Sequence, residues 1–516
     1  MQRLLLLSLT LAAACNGTQR SVVENHALAA EETLYASTIT EADLKTHLYI
    51  YASDEFEGRD TGSSGQKKAV EYLEDAYKAM GIAPARGESG YRQPVPIENS
   101  RVPQGQITLN GKTYSNGDTF LTFEAGSGDY SEIHYVGYGI DTENYSDYAG
   151  KELEGKFLLM HSGEPRNEDG TYAVTGTDSA SAWGDPSDGV GLRQAAAKAY
   201  GAKGFFLVDD LNYSRYQRYF ERQARSNRGR MALATPSDEP QMVLLRSELA
   251  EALYPGFGKP ENAGSSEAEI RIQVENKSEP VDTENVVAFI RGTTYPDEYV
   301  IISSHLDHIG ITQDGEINNG ADDDGSGTVA VLEIAQAFKK AADEGNGPKR
   351  SIVFLHVTGE ERGLLGSQYY TDFDPVFPLE QTVADLNIDM IGRIDPKRDG
   401  DRNYIYLIGS DKLSTELHEL SEAVNDRFTR IELDYKYNDE NDPNRFYYRS
   451  DHYNFAKNNI PIIFYFNGTH VDYHRPGDTP DKINYDLLRN RTQLVFYTAW
   501  EIANRDARIR ADKAAP

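Results

Sequence analysis

The sequence predicts an α/β fold: a mixed, largely parallel sheet flanked by helices, with a β-rich segment inserted ahead of most of it. Three observations carry this. Four short, nearly continuous apolar runs, "EYVIISSH", "RSIVFLHVTGEE", "VADLNIDMIG" and "IPIIFYFNG", suit strands buried on both faces of a sheet. Helical segments fall between them; in "GTVAVLEIAQAFKKA", Val331, Ile334, Ala335 and Phe338 form one apolar stripe. From about residue 118 to 278 the texture changes to short alternating strands and turns. Strands alternating with helices form layered α/β domains, because each apolar face must be covered by another element.

Taken in order, the chain opens with Arg3 and an apolar run from Leu4 to Ala14. A bilayer span needs about 20 apolar residues, so this run reads as a secretory leader. Ala12, Ala13 and Ala14 suit signal-peptidase cleavage. Cys15 follows at once and is the single cysteine of the chain. The segment resembles the lipobox of bacterial lipoproteins, with Leu11 one place further from the cysteine than usual. Residues 1–15 are therefore expected to be a signal peptide ending in a lipidated Cys15. That implies an exported protein of the bacterial cell envelope, facing the periplasm or exterior, with membrane contact only through the anchor. One cysteine also excludes structural disulfides and thiolate metal clusters.

Residues 16–40 are polar and read as a tether, and residues 41–117 as the N-terminal part of the main domain. In "GQKKAVEYLEDAYKAMG", Ala69, Leu73, Ala76 and Met80 recur at helical spacing and Gly81 supplies a C-cap. Residues 118–278 form the insert; "EIHYVGYGI" alternates like a strand, and "GLRQAAAKAYGAKGFFLVDD" is a helix feeding another strand. No metal or nucleophile constellation falls there. The Lys-Phe-Leu-Leu strand and the Ala-rich helix before "GAKGFFLV" resemble the protease-associated (PA) domain. "RYQRYFERQARSNRGR" reads as a solvated basic helix face. Residues 279–510 complete the main domain. The formal charge of −30 argues against a nucleic-acid partner, since phosphate binding needs dense Lys and Arg.

Residues with metal chemistry gather at the ends of the apolar runs. His305 and Asp307 follow the first, Glu360 and Glu361 the second, Asp389 the third, and His474 the loop after the fourth. "NNGADDDGSG" opens the helix after the first run and crowds Asp322, Asp323 and Asp324 together. In open α/β sheets, sites form at the carboxyl ends of strands. Imidazole and carboxylate together suit borderline divalent ions, zinc first. Two histidines and three carboxylates exceed one open site; they suit two ions ~3.5–4 Å apart that share a carboxylate, leaving one glutamate as a base. The "DDDG" run lacks the spacing of a calcium EF-hand loop.

"HLDH", "NNGADDDGSG", "GEERGLLGSQYY", "NIDMIGR" and "YHRPGDTPD" together resemble the motif series of the M28 family of zinc peptidases. That resemblance implies a co-catalytic metallopeptidase acting on peptides, most simply an aminopeptidase, with two Zn²⁺ ions. It implies that His305 and Asp389 hold one ion, Glu361 and His474 the other, and Asp323 bridges them. Glu360 would activate the metal-bridging water, and Asp307 would hydrogen-bond His305 and fix its tautomer. Asp322 and Asp324 are expected to shape the loop and accept backbone N–H groups. His308 and His356 are left outside the ligand set, and Asp451 and His452 match a cleft-lining segment of the family. Glutaminyl cyclases of the same family, a carboxypeptidase anchored through Arg393 or Arg449, and a metal-free binding module are the alternatives.

Overall fold

The structure, a computed structural model, describes residues 31–514 except 88–89, 187, 226–228 and 235–238. The expected leader, Cys15 and the tether up to residue 30 lie outside the described residues. Among the described residues no helix is long and apolar enough to cross a membrane. Two compact units result, one from the chain up to Pro96 together with Val281 onward, the other from Ile97 to Pro280.

The first unit is built on helices α1 (Glu41–Tyr51) and α2 (Ser64–Met80), strands β1 (Glu284–Ile290) and β2 (Tyr295–His305), and helix α3 (Gly327–Asp343). Strands β3 (Arg350–Val357), β4 (Thr382–Ile388) and β5 (Tyr404–Ile408), helix α4 (Thr415–Phe428), strand β6 (Ile462–Phe466) and helix α5 (Tyr485–Asn504) follow. The strand order is β1-β3-β2-β4-β6-β5 within a nine-stranded sheet. β3, β2, β4 and β6 pair in parallel, whereas β1 and β5 run antiparallel to their neighbours β3 and β6.

The apolar runs are continuous because both faces of the sheet are covered. Along β2, Val300 and Ile302 enter one core while Ile301 enters the other, and along β3 Ile352 and Phe354 alternate with Val353 and Leu355. The first core holds α1, α2, α3 and α5, with Phe338 against Phe496 and Trp500. Helix α2 meets it through buried Ala69 and Leu73 and partly buried Ala76 and Met80, and ends at Gly81 with φ 67°. Residues 31–40, read above as tether, instead bury Tyr35, Ala36 and Ile39 in this core. Their apolar side chains are few, so the polar positions between them masked a short helical turn.

The second unit has an eight-stranded and a three-stranded sheet. Phe157–His161, Gly204–Val208 and Gln241–Leu245 run parallel in the larger one, and helix Asp188–Ala199 precedes the second of them. The unit begins at Ile97, ahead of residue 118, because the strands Ile97–Ser100, Gln104–Leu109 and Lys112–Ser115 pair within it. These strands are short and largely exposed, which gave them little hydrophobic signal.

Candidate metal centre

The carboxyl ends of β2, β3 and β4 deliver His305, the Glu360–Glu361 pair and Asp389, and the loop after β6 delivers His474. Asp323 arrives from the loop between β2 and α3. Gly320 makes that turn with φ 56°; a Cβ there would lie 2.3 Å from the Asp323 carbonyl oxygen, so glycine is required. Buried Arg59 holds the same turn, its guanidinium donating to the carbonyls of Asn319 at 2.7 Å and Gly320 at 2.9 Å. From the far side Asp478 Oδ2 accepts the backbone N–H groups of Asp322 at 2.9 Å and Asp323 at 3.1 Å.

The two oxygens of Asp323 face opposite ways. Oδ1 lies 3.2 Å from His305 Nε2, which is itself 3.7 Å from Asp389 Oδ1. Oδ2 lies 3.1 Å from His474 Nε2, which is 3.1 Å from Glu361 Oε2. His305 Nε2 and Asp323 Oδ2 are buried and make no hydrogen bond. Buried polar atoms are normally satisfied, so unpaired donor and acceptor atoms converging at such distances fit bound cations between them. The residues therefore suit a metal site with nitrogen and oxygen donors. His474 has φ 55°, uncommon for a residue with a side chain, and its ring stacks on Tyr473 with centroids 3.9 Å apart.

The flanking aspartates are otherwise engaged. Asp324 Oδ1 accepts the N–H groups of Gly327 and Met390, and its Oδ2 that of His305. A Cβ on Gly327 would sit 2.4 Å from Asp324 Oδ1, so that glycine lets the carboxylate reach the start of α3. Asp322 Oδ1 accepts from the Gly392 N–H and the Ser326 hydroxyl, and its Oδ2 from the Asn467 amide. Asp324 also stands beside His305 and Asp389. With both oxygens taken by N–H donors it is the poorer ligand, and Asp323 the better one.

Asp307 acts differently from expectation. His305 Nδ1 bonds the Asp307 backbone carbonyl at 3.0 Å, while the carboxylate stands 3.9 Å away. The carbonyl thus fixes the tautomer that leaves Nε2 free for a metal. The carboxylate accepts the Glu360 N–H at 3.2 Å and the Thr61 hydroxyl at 2.8 Å instead. A residue two positions after a strand end can turn either group towards the ring, and sequence alone does not distinguish them. Glu360 Oε2 is 4.0 Å from His305 Nε2, further than either oxygen assigned to that ring.

Charge is concentrated here. Burial raises the Glu360 carboxyl well above the usual range; His305 opposes this, and Glu361 and Asp389 add to it. Burial and Asp323 push Glu361 upward too, but hydrogen bonds from His308 and His474 hold it down at about 2. Burial works against protonation of His474, yet Asp323 and Glu361 lift it to about 10. The rings take the part of cations among these carboxylates.

His308, outside the expected set, donates its Nδ1–H to Glu361 Oε1 at 2.8 Å and is fully buried. Its place in "HLDH" is the one sequence hint. His356 is a core residue: its nitrogens meet the hydroxyls of Ser304 at 2.9 Å and Tyr77 at 2.7 Å. Asp451 and His452 are buried rather than exposed along a cleft, Asp451 accepting from the Ser367 hydroxyl and His452 stacking on Phe464.

Residues 285–499 match the sequence profile of Peptidase family M28. The chain carries a peptidase family M28 domain. Among curated proteins it is 34% identical over 139 residues to Aminopeptidase NAALADL1 of Mus musculus, covering 27% of this chain and 17% of that protein. It is 27% identical over 266 residues to Leucine aminopeptidase 2 of Arthroderma otae, covering 46% of this chain and 49% of that one. The chain thus spans half or less of the length of these curated relatives. Among solved structures, an aminopeptidase from Aneurinibacillus sp. strain AM-1 superposes with a TM-score of 0.48 at 19% identity, covering 94% of this chain and 98% of that one. The M28 segment contains every residue of the candidate metal centre.

Proposed function

We propose that the protein is a two-zinc aminopeptidase that hydrolyses N-terminal residues from peptides. The observation that carries this reading is the division of Asp323, with Oδ1 towards His305 and Asp389 and Oδ2 towards Glu361 and His474. Each half offers one imidazole and one further carboxylate, a donor set suited to zinc. Bound zinc would supply Lewis-acid polarisation of the scissile carbonyl and a more acidic attacking water.

The chain's own groups would do the rest. Glu360 stands back from the ligand atoms and has its backbone held by Asp307, which suits a base that takes a proton from the attacking water and returns it to the leaving amine. A rim rich in carboxylates suits the α-ammonium group of an unblocked peptide. The names of the curated relatives, aminopeptidases both, support the same end of the substrate. A carboxypeptidase anchored at Arg393 is disfavoured, because Asp472 and Asp478 neutralise that side chain. Export through the leader and lipidation at Cys15 belong to this proposal on sequence grounds alone.

The experiment is Glu360→Gln in zinc-loaded protein. Release of N-terminal residues should fall by about 10²–10⁴-fold, with zinc content unchanged. Full activity in that variant would sink the proposed role of Glu360.

A further inference from the structure

Of the guanidiniums near the candidate ligands, two are already neutralised. Arg393 donates to Asp472 at 3.0 Å and lies 3.7 Å from Asp478, and Arg362 pairs with Asp60. Arg449 differs. Its side chain is exposed, and among the described residues no carboxylate lies within ion-pair distance of it.

The side chain is nevertheless held in place. Its Nη2 donates to the Tyr473 hydroxyl at 3.3 Å, and the guanidinium packs over the Phe446 ring at 4.9 Å. Tyr473 lies nearly flat against His474, with an interplanar angle of 23°. Ser450, the next residue in the chain, donates its hydroxyl to Asp389 Oδ2 at 2.7 Å. Arg449 is thus tied to both halves of the centre, through Tyr473 to His474 and through Ser450 to Asp389. A guanidinium has five N–H donors in a planar fork, and the tyrosine takes one of them. Aromatic packing has already restricted the flexible stem, so binding an anion there loses little further side-chain entropy.

We propose that Arg449 is a specificity-determining residue that binds a carboxylate of the peptide substrate. The inference rests on the peptidase reading and adds the substrate class. The same chemistry is offered by the free α-carboxylate of a di- or tripeptide and by an acidic side chain beyond the scissile bond. A planar, forked cation beside the centre can hold such a group bidentately and so orient it.

The test compares matched pairs on the zinc-loaded enzyme: Leu-Ala against its C-terminal amide, and Leu-Glu-amide against Leu-Gln-amide. In the wild type at least one carboxylate substrate should exceed its neutral partner about tenfold in kcat/KM, carried by KM. The pair showing the preference identifies its source. In Arg449→Ala that ratio should collapse towards one, and Arg449→Lys should restore part of it. Calorimetric binding of the same pairs to Glu360→Gln protein, with and without Arg449→Ala, should give the same ratios without turnover. Ratios unchanged by Arg449→Ala, both members of each pair falling together, or a wild-type preference for the neutral partners would each overturn the proposal. Release from none of the four peptides would instead overturn the peptidase reading, and this inference with it.

Discussion

Three consecutive aspartates on one loop differ in what their oxygens reach. Asp322 and Asp324 spend their lone pairs on N–H and O–H donors around the start of α3, whereas Asp323 Oδ2 is buried with no hydrogen bond. Removing Asp323 should therefore remove a ligand from both halves of the centre at once. Asp323→Ala should fall from about two zinc ions per chain to a small fraction of one, while Asp324→Ala and Asp322→Ala keep part of theirs. Asp324→Ala should melt lower, because it strands three backbone N–H groups at ~1–3 kcal/mol for each left without a partner. Elemental analysis of dialysed protein with thermal melts checks both, and retention of both ions by Asp323→Ala would rule the bridge out. His305, Glu361, Asp389 and His474 were legible because each follows an apolar run, where α/β sheets place sites. His308, Arg59 and Asp478 were not. His308 and Asp478 sit inside the quoted motifs "HLDH" and "YHRPGDTPD", but all three residues meet partners distant in the sequence, and motif spacing does not say which residue reaches which.

Among the elements, α3 combines a function at one end with a buried charge in its middle. Its N-terminus receives Asp324 as a cap-like acceptor, while Glu333 is 1% exposed and neither of its oxygens finds a hydrogen bond. His47 Nε2 of α1 stands 3.4 Å from it, with Asp43 of α1 and Tyr72 of α2 the other titratable groups nearby. Burial, reinforced by Asp43, raises Glu333 to about 8, and burial lowers His47, which limits its use as a counter-ion. A folded-state value above the unfolded one means that the native protein holds the extra proton. This contribution to stability is complete below the ordinary value of about 4.5 and is lost as pH rises through about 8. Glu333→Gln should therefore melt close to the wild type at pH 5 and several degrees higher at pH 9, since ~1 kcal/mol moves a domain of this size by ~2–4 °C. Equal pH dependence in the two proteins would exclude a buried, titrating Glu333. The apolar stripe of α3 was readable from its spacing, but Glu333 was not, because helical periodicity does not reveal which polar residue the neighbouring α1 will cover.

Across the whole molecule, the two units were legible to different depths for one physical reason. Strands buried on both faces leave long apolar runs, as in β2, β3 and β4, whereas the exposed strands at the start of the second unit alternate weakly and hide its boundary. The candidate metal centre belongs to the unit with the strong signal and gathers segments from residue 305 to residue 474. Ions that bind the assembled centre and not the unfolded chain must stabilise that unit by mass action. At a free-metal concentration ~100 times the Kd the gain is ~2.7 kcal/mol, or ~5–10 °C in Tm. Chelation should not unfold the unit outright, because the apolar cores on both faces of its sheet do not depend on the ions. Differential scanning calorimetry with a chelator, followed by zinc add-back, should lower and then restore a transition. Proteolysis at intermediate temperature should assign that transition to the unit containing Val281 onward. A transition indifferent to chelator, or a shift confined to Ile97–Pro280, would show that the converging histidines and carboxylates hold no metal.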